Sequence, residues 1–168
     1  MPSEVSPALV ALLDGRPVAA PPPPLAGYEE VPVVVWREGD VAAVLWISHD
    51  PEDAEEPYSQ DIEVFTRSRG RWQWHSKGGS DWPADYGQRP GVGRPGLTGL
   101  AQGAPGPGGG GLVWLASGIA PAGVERVRVT ARQAVFEADV EPLTGAFLIA
   151  VAVPSALADV KVESAEGG

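Results

Sequence analysis

From residue 124 to residue 140 the chain alternates apolar and polar positions on both sides of a short break. Period two in two neighbouring runs is the signature of a β-hairpin. A two-residue turn at Ala131-Arg132 sets Val129 opposite Ala134 and Val127 opposite Phe136 on one face, with Arg126 opposite Glu137 on the other. One face is apolar and the other charged, as in an antiparallel sheet with one side on a core and one in water.

The same signal recurs along the chain. Residues 31–37 and 41–49 flank a tight turn at Glu38-Gly39-Asp40, and 61–67 and 71–75 flank Arg69-Gly70. Further runs at 112–117, 124–130, 133–140, 145–153 and 159–163 bring the expected strands to nine. Many short strands with almost no helix predict an all-β fold, a two-sheet antiparallel sandwich. Ahead of it, Ser6 is placed to cap a short helix that has Pro7 at its first position, and Asp14-Gly15 to end it. Leu9, Leu12 and Leu13 share a face of that helix. Pro21, Pro22, Pro23 and Pro24 impose an extended polyproline segment, so residues 1–30 read as a tethered arm.

Residues 87–111 hold eleven glycines and four prolines, too little apolar surface to order themselves, and are expected to form a mobile loop. The reading is therefore one sandwich domain over 31–163, interrupted by that loop and followed by a disordered tail at 164–168. Without arm and loop, roughly 110 residues remain, the size of an immunoglobulin-like sandwich. Ser117-Gly118-Ile119-Ala120-Pro121, the run 124–129, Gly145-Ala146-Phe147-Leu148 and Val160-Lys161-Val162 together resemble the β-sandwich halves of uncharacterised proteins from high-GC bacteria. The likeness covers about a third of the chain and implies an immunoglobulin-like fold, with no catalytic residues attached to it.

Composition narrows the function classes. A formal charge of -10, with no cluster of basic residues, repels phosphate backbones and anionic lipid, which argues against nucleic acid and membrane surfaces as partners. The absence of cysteine excludes disulfides, zinc ribbons and cysteine nucleophiles. Neither a signal-peptide pattern nor an apolar run near the ~20 residues of a membrane span is present, so a cytoplasmic location is expected. Ten arginines against two lysines, and no asparagine, mark a GC-rich bacterial coding bias.

The chemical motifs do not assemble. Ser48, His49 and Asp50 stand side by side, but neighbouring strand residues point to opposite faces, so Ser48 and His49 cannot act as nucleophile and base. Gly91, Gly93 and Gly96 fit GxGxxG by spacing, yet Arg94-Pro95 lies inside and no helix is expected after it. Seven acids between Asp50 and Glu63 lack the spacing and central glycine of an EF-hand, and read as a solvated loop. His49 and His75 are the only histidines, and no metal or cofactor is expected.

The aromatic residues carry the functional expectation. Around Arg69-Gly70, Phe65 faces Trp74 and Arg67 faces Trp72, giving one face three aromatic rings and a cation-π pair. Trp36, Trp46 and Trp114 sit in strongly apolar runs and read as core. Residues 64–111 carry six basic side chains against Asp81 and Asp85, a basic region in an acidic protein. The expected function is non-enzymatic binding of a protein partner through Phe65, Arg67, Trp72, Trp74, Trp82 and Tyr86. Self-association through Leu9, Leu12 and Leu13 of the arm is a second expected contact. Two alternatives stay open at this point: a carbohydrate or small ligand stacked on exposed tryptophans, and an enzyme without a recognisable motif.

Overall fold

The computed structural model describes residues 5–18, 27–82, 89–91, 93–105 and 112–165, with backbone alone over 100–105. One helix, α1 (Pro7–Leu13), precedes ten strands: β1 (Glu29–Glu38), β2 (Val41–His49), β3 (Tyr58–Ser68), β4 (Arg71–Asp81), β5 (Gly96–Pro105), β6 (Leu112–Ile119), β7 (Arg126–Thr130), β8 (Val135–Asp139), β9 (Ala146–Val153) and β10 (Lys161–Ser164). The all-β antiparallel sandwich expected from the sequence is what the chain forms, with its strands divided among three sheets. A four-stranded front sheet runs β1-β2-β3-β4 as a meander, a middle sheet runs β5-β6-β9, and a back sheet runs β10-β7-β8.

Each sheet follows from its residue pattern. In β2, Val41, Ala43, Leu45 and Ile47 point inward and pack with Ile62 and Val64 of β3 against Val113, Leu148 and Ala150 of the middle sheet. The alternate residues Ala42 and Val44 point outward, where Phe65, Trp72 and Leu13 of α1 cover them. The middle sheet has no wet face either. Trp114, Ala116, Phe147, Ile149 and Val151 turn their backs on the front sheet and pack on Val127, Val129 and Ala138 of the back sheet. Burial on both faces explains why β9 reads Ala-Phe-Leu-Ile-Ala without alternation. The layers are therefore helix, front sheet, middle sheet and back sheet.

Several expectations are corrected here. The hairpin of β7 and β8 exists, but its register is shifted by two residues: Val129 faces Phe136, Val127 faces Ala138, and Arg126 faces Asp139. Ala131 and Ala134 exchange backbone hydrogen bonds, so the turn falls on Arg132-Gln133, one residue later than expected. The reason lies outside the hairpin. Arg132 donates its backbone N–H to Ala158 and pairs its guanidinium with Asp159 at 2.8 Å, while Gln133 accepts from the Ala158 N–H. A shift of two keeps every side chain on its face, which is why the two-faced pattern was still readable.

The glycine-rich stretch 87–111 is not all loop, because residues 96–105 form β5 along the whole of β6. The strand is ordered by backbone pairing with β6, which composition does not report. The strand expected at 71–75 continues to Asp81, with a bulge at His75 where the register slips between Val64 and Phe65. The C-terminal strand runs one residue into the expected tail, and Ala165 still donates to the Arg126 carbonyl. The polyproline segment and residues 166–168 lie outside the described residues.

The helix forms as its caps dictate, with the Ser6 hydroxyl accepting from the Leu9 N–H at 3.2 Å and Gly15 at φ 124° beyond its end. It packs on the chain's own front sheet. Leu13 is fully buried, Leu9 and Val10 pack beside it on the front sheet, and Leu12 is half-buried. A helix this short has no stability of its own in water, and the front sheet supplies the apolar surface that holds it.

Candidate functional site

The tip of the β3–β4 hairpin is built by its turn. Arg69 and Gly70 both adopt positive φ, at 52° and 75°, the geometry that matches the twist of the flanking strands. Glycine adopts it freely and arginine at some cost, which fixes a two-residue loop and with it the pairs Phe65 to Trp74 and Arg67 to Trp72. Phe65, Trp72 and Trp74 share the outer face of the front sheet, as the sequence implied.

Their exposure differs. Trp72 is 9% exposed under α1, and its indole N–H donates to the Asp14 carboxylate at 2.9 Å. The Arg67 guanidinium lies 5.1 Å from the centre of the Trp72 ring and pairs with Asp40 at 3.2 Å. Phe65 is buried beneath the same helix. Trp82 is 5% exposed and lies in the core on the opposite side of the front sheet. Tyr86 is outside the described residues. Of the tryptophans that the alternative reading would stack on a ligand, Trp74, 44% exposed on the edge strand β4, is the single wet one among the described residues.

Arg37, Ala42, Phe65 and Trp74 form one row across the outer face. Arg37, Arg69 and Arg71 are exposed, and none has an acidic partner within 4.0 Å among the described residues. Trp114 is fully buried, whereas Trp36 and Trp46 are half-buried against the cores the sequence assigned them to.

The opposite end of the front sheet is acidic. Asp50 accepts from the Glu52 N–H at 2.9 Å and Asp53 from the Glu56 N–H at 2.9 Å, so these two carboxylates bond the loop's own backbone. No group of three metal-ligating side chains occurs among the described residues. Ser48 donates to Glu30 while His49 Nδ1 meets the Gly27 carbonyl at 2.8 Å and its ring stacks on Tyr58, so the serine and histidine face apart.

Glu56 hydrogen-bonds the Asp81 carboxyl and is repelled by its charge, and both effects raise the Glu56 pKa above the ordinary glutamate value. A raised carboxyl favours the folded state at acid pH, and that contribution is lost as the pH rises through the raised value. A carbon-detected titration should place the Glu56 midpoint above the ordinary glutamate value, and Asp81→Asn should bring it down. An unmoved midpoint in that variant would refute the pairing.

One further site was not anticipated. A cavity of about 320 Å³ lies between the front and middle sheets, lined by Gln60, Ile62, Gly78, Gly79, Ser80, Thr98, Gly99, Leu115 and Ser117. It needs four strands to converge, and the only trace in sequence is a strand that ends in Gly78-Gly79-Ser80. Comparison of the chain with protein-family models, with curated proteins and with solved structures finds no match in any of the three. Among the described residues no helix is long and apolar enough to cross a membrane.

Proposed function

We propose that the chain is a non-enzymatic binding module that docks an extended acidic protein segment on the tip and edge of the β3–β4 hairpin. The observation that carries this is Trp74, an exposed indole on the hairpin whose tip holds Arg69 and Arg71, both exposed and without an acidic partner within 4.0 Å among the described residues. Tryptophan and arginine are the side chains that most often anchor protein interfaces. β4 is the last strand of its sheet, the position at which an extended segment adds by backbone pairing. Arg71 and Lys77 on that edge repel a second copy of the same edge and attract an acidic one. Trp72 and Arg67 sit behind Trp74 as a braced support. The helix leucines, covered by the chain's own sheet, are not used as a contact in this reading.

A labelled peptide of alternating glutamate and leucine tests it, with the lysine-leucine counterpart as control. Binding should weaken as salt rises. Trp74→Ala should weaken it about thirtyfold, the effect of losing a hot spot of about 2 kcal/mol. Equal binding of the lysine peptide, or unchanged affinity in Trp74→Ala, would overturn the proposal.

A further inference from the structure

We infer that the cavity between β4 and β5 is a binding site for a neutral, ring-sized molecule with an apolar body and one hydroxyl group. It lies on the inner side of the front sheet, away from Trp74, and its case is independent of that surface.

The four strands around it abandon their apolar alternation at the same end. Along β3 the inward residues run Val64, Ile62, Gln60, and along β6 they run Val113, Leu115, Ser117. β4 contributes Gly78 and Ser80, which pair with Ile62 and Gln60, and β5 contributes Thr98. Elsewhere this core is built of buried apolar side chains, alanine, valine, leucine, isoleucine and tryptophan. A packing fault would leave one side chain too small; here four strands are polar or bare at one place.

The polar residues are wired together before any ligand arrives. Gln60 is 1% exposed, donates through Nε2 to Ser80 Oγ at 2.8 Å, and accepts through Oε1 from Thr98 Oγ1 at 3.2 Å. Thr98 Oγ1 also meets Ser117 Oγ at 3.2 Å, and Ser117 is 0% exposed. Nε2 also donates to the Thr98 carbonyl at 3.3 Å and Ser80 Oγ to the same carbonyl at 3.4 Å, so the amide is locked in orientation, the donors are used within the network, and the capacity left on Oε1 and the hydroxyl oxygens is to accept. Holding such groups ready for a guest is how binding pockets gain orientation and selectivity.

Shape and charge set the ligand class. Ile62 and Leu115 give an apolar wall, and Gly78 and Gly79 a wall of bare backbone. A Cβ on Gly78 would meet nothing within 4 Å, so the side chain that position lacks corresponds to open space. No ionisable side chain lines the cavity among the described residues, which disfavours a charged guest. Entry is from the side of β4, where Gly78, Gly79 and Ser80 are exposed.

Benzyl alcohol serves as the probe, with benzoate and toluene as its charged and wholly apolar counterparts. In amide-detected NMR titrations, benzyl alcohol should shift the Gly78 and Gly99 backbone signals and the Gln60 side-chain amide saturably, and benzoate should not. Gly78→Val should fill the space, raise the Tm and weaken binding at least tenfold. Gln60→Leu should abolish the preference for benzyl alcohol over toluene. Absence of a saturable shift in the unmodified protein, equal binding of benzoate, or undiminished binding in Gly78→Val would each overturn the inference.

Discussion

Phe147→Ala is expected to destabilise the protein by about 3–5 kcal/mol, the range for emptying a large buried aromatic site. Phe147 is fully buried on β9, where it joins Trp114, Ile149 and the back-sheet valines Val127 and Val129. Relaxation cannot close the gap easily, because the ring sits against Gly118, where even a Cβ would collide with it. β9 also carries Leu148 in the opposite direction, into the core shared with the front sheet, so any shift of the strand disturbs two cores. Phe147→Leu, which keeps much of the volume, should cost markedly less. Denaturant unfolding followed by tryptophan fluorescence reads both. Equal losses for the two variants, or a loss below about 1 kcal/mol for alanine, would contradict the double-faced packing of the middle sheet.

Arg89→Met should cost roughly 2–4 kcal/mol and lower the Tm by about 5–15 °C, although it removes no core side chain. The Arg89 guanidinium donates to the carbonyls of Pro121 at 2.6 Å, Val124 at 2.9 Å, Pro142 at 3.2 Å and Ala120 at 3.4 Å. These carbonyls belong to the β6–β7 and β8–β9 connections, so a single side chain ties two crossings of the middle and back sheets together. Its neighbour Pro90 accepts from the Ala122 N–H at 2.8 Å and reinforces the clasp. Methionine keeps the stem but supplies no donor, leaving part-buried carbonyls unpaired. Thermal unfolding checks this, and a Tm within 2 °C of the parent would show the clasp to be ornamental.

How much of this was legible in the sequence divides along physical lines. Strands whose faces differ were readable because period two survives any register: β7 and β8 kept their faces although their turn moved by one residue. The turn moved because Arg132 and Gln133 answer to Ala158 and Asp159, some 25 residues away in sequence, a contact no local pattern carries. The third sheet was missed for a related reason. β9 is apolar on both faces, which a short run expresses without saying what covers each side. β5 was hidden by composition, since a glycine-rich stretch that borrows order from β6 through backbone bonds looks the same as one that has none.

For the binding surfaces the division is similar. The alignment of Phe65, Trp72 and Trp74 follows from the turn at Arg69-Gly70, but which ring stays wet depends on where α1 lies, and no local pattern says where on the sheet the helix docks. Trp82 was grouped with Trp74 by proximity in sequence and is separated from it by the thickness of the sheet. Gln60 gave no signal, because one polar residue at the end of a strand becomes a site only beside Ser80, Thr98 and Ser117.

The doubly covered middle sheet also sets an order of events when the chain folds. The front meander and the β7–β8 hairpin pair neighbours in sequence and close short loops, so they can assemble early. β9 must cross from its place after β8 to lie beside β6 before either core exists, and each of its faces needs a different pre-formed partner. Non-local pairing of this kind belongs to the slow, millisecond-to-second regime. Until it docks, β9 is an unpaired apolar strand, and this central piece of the finished molecule is the piece most in need of rapid capture during synthesis.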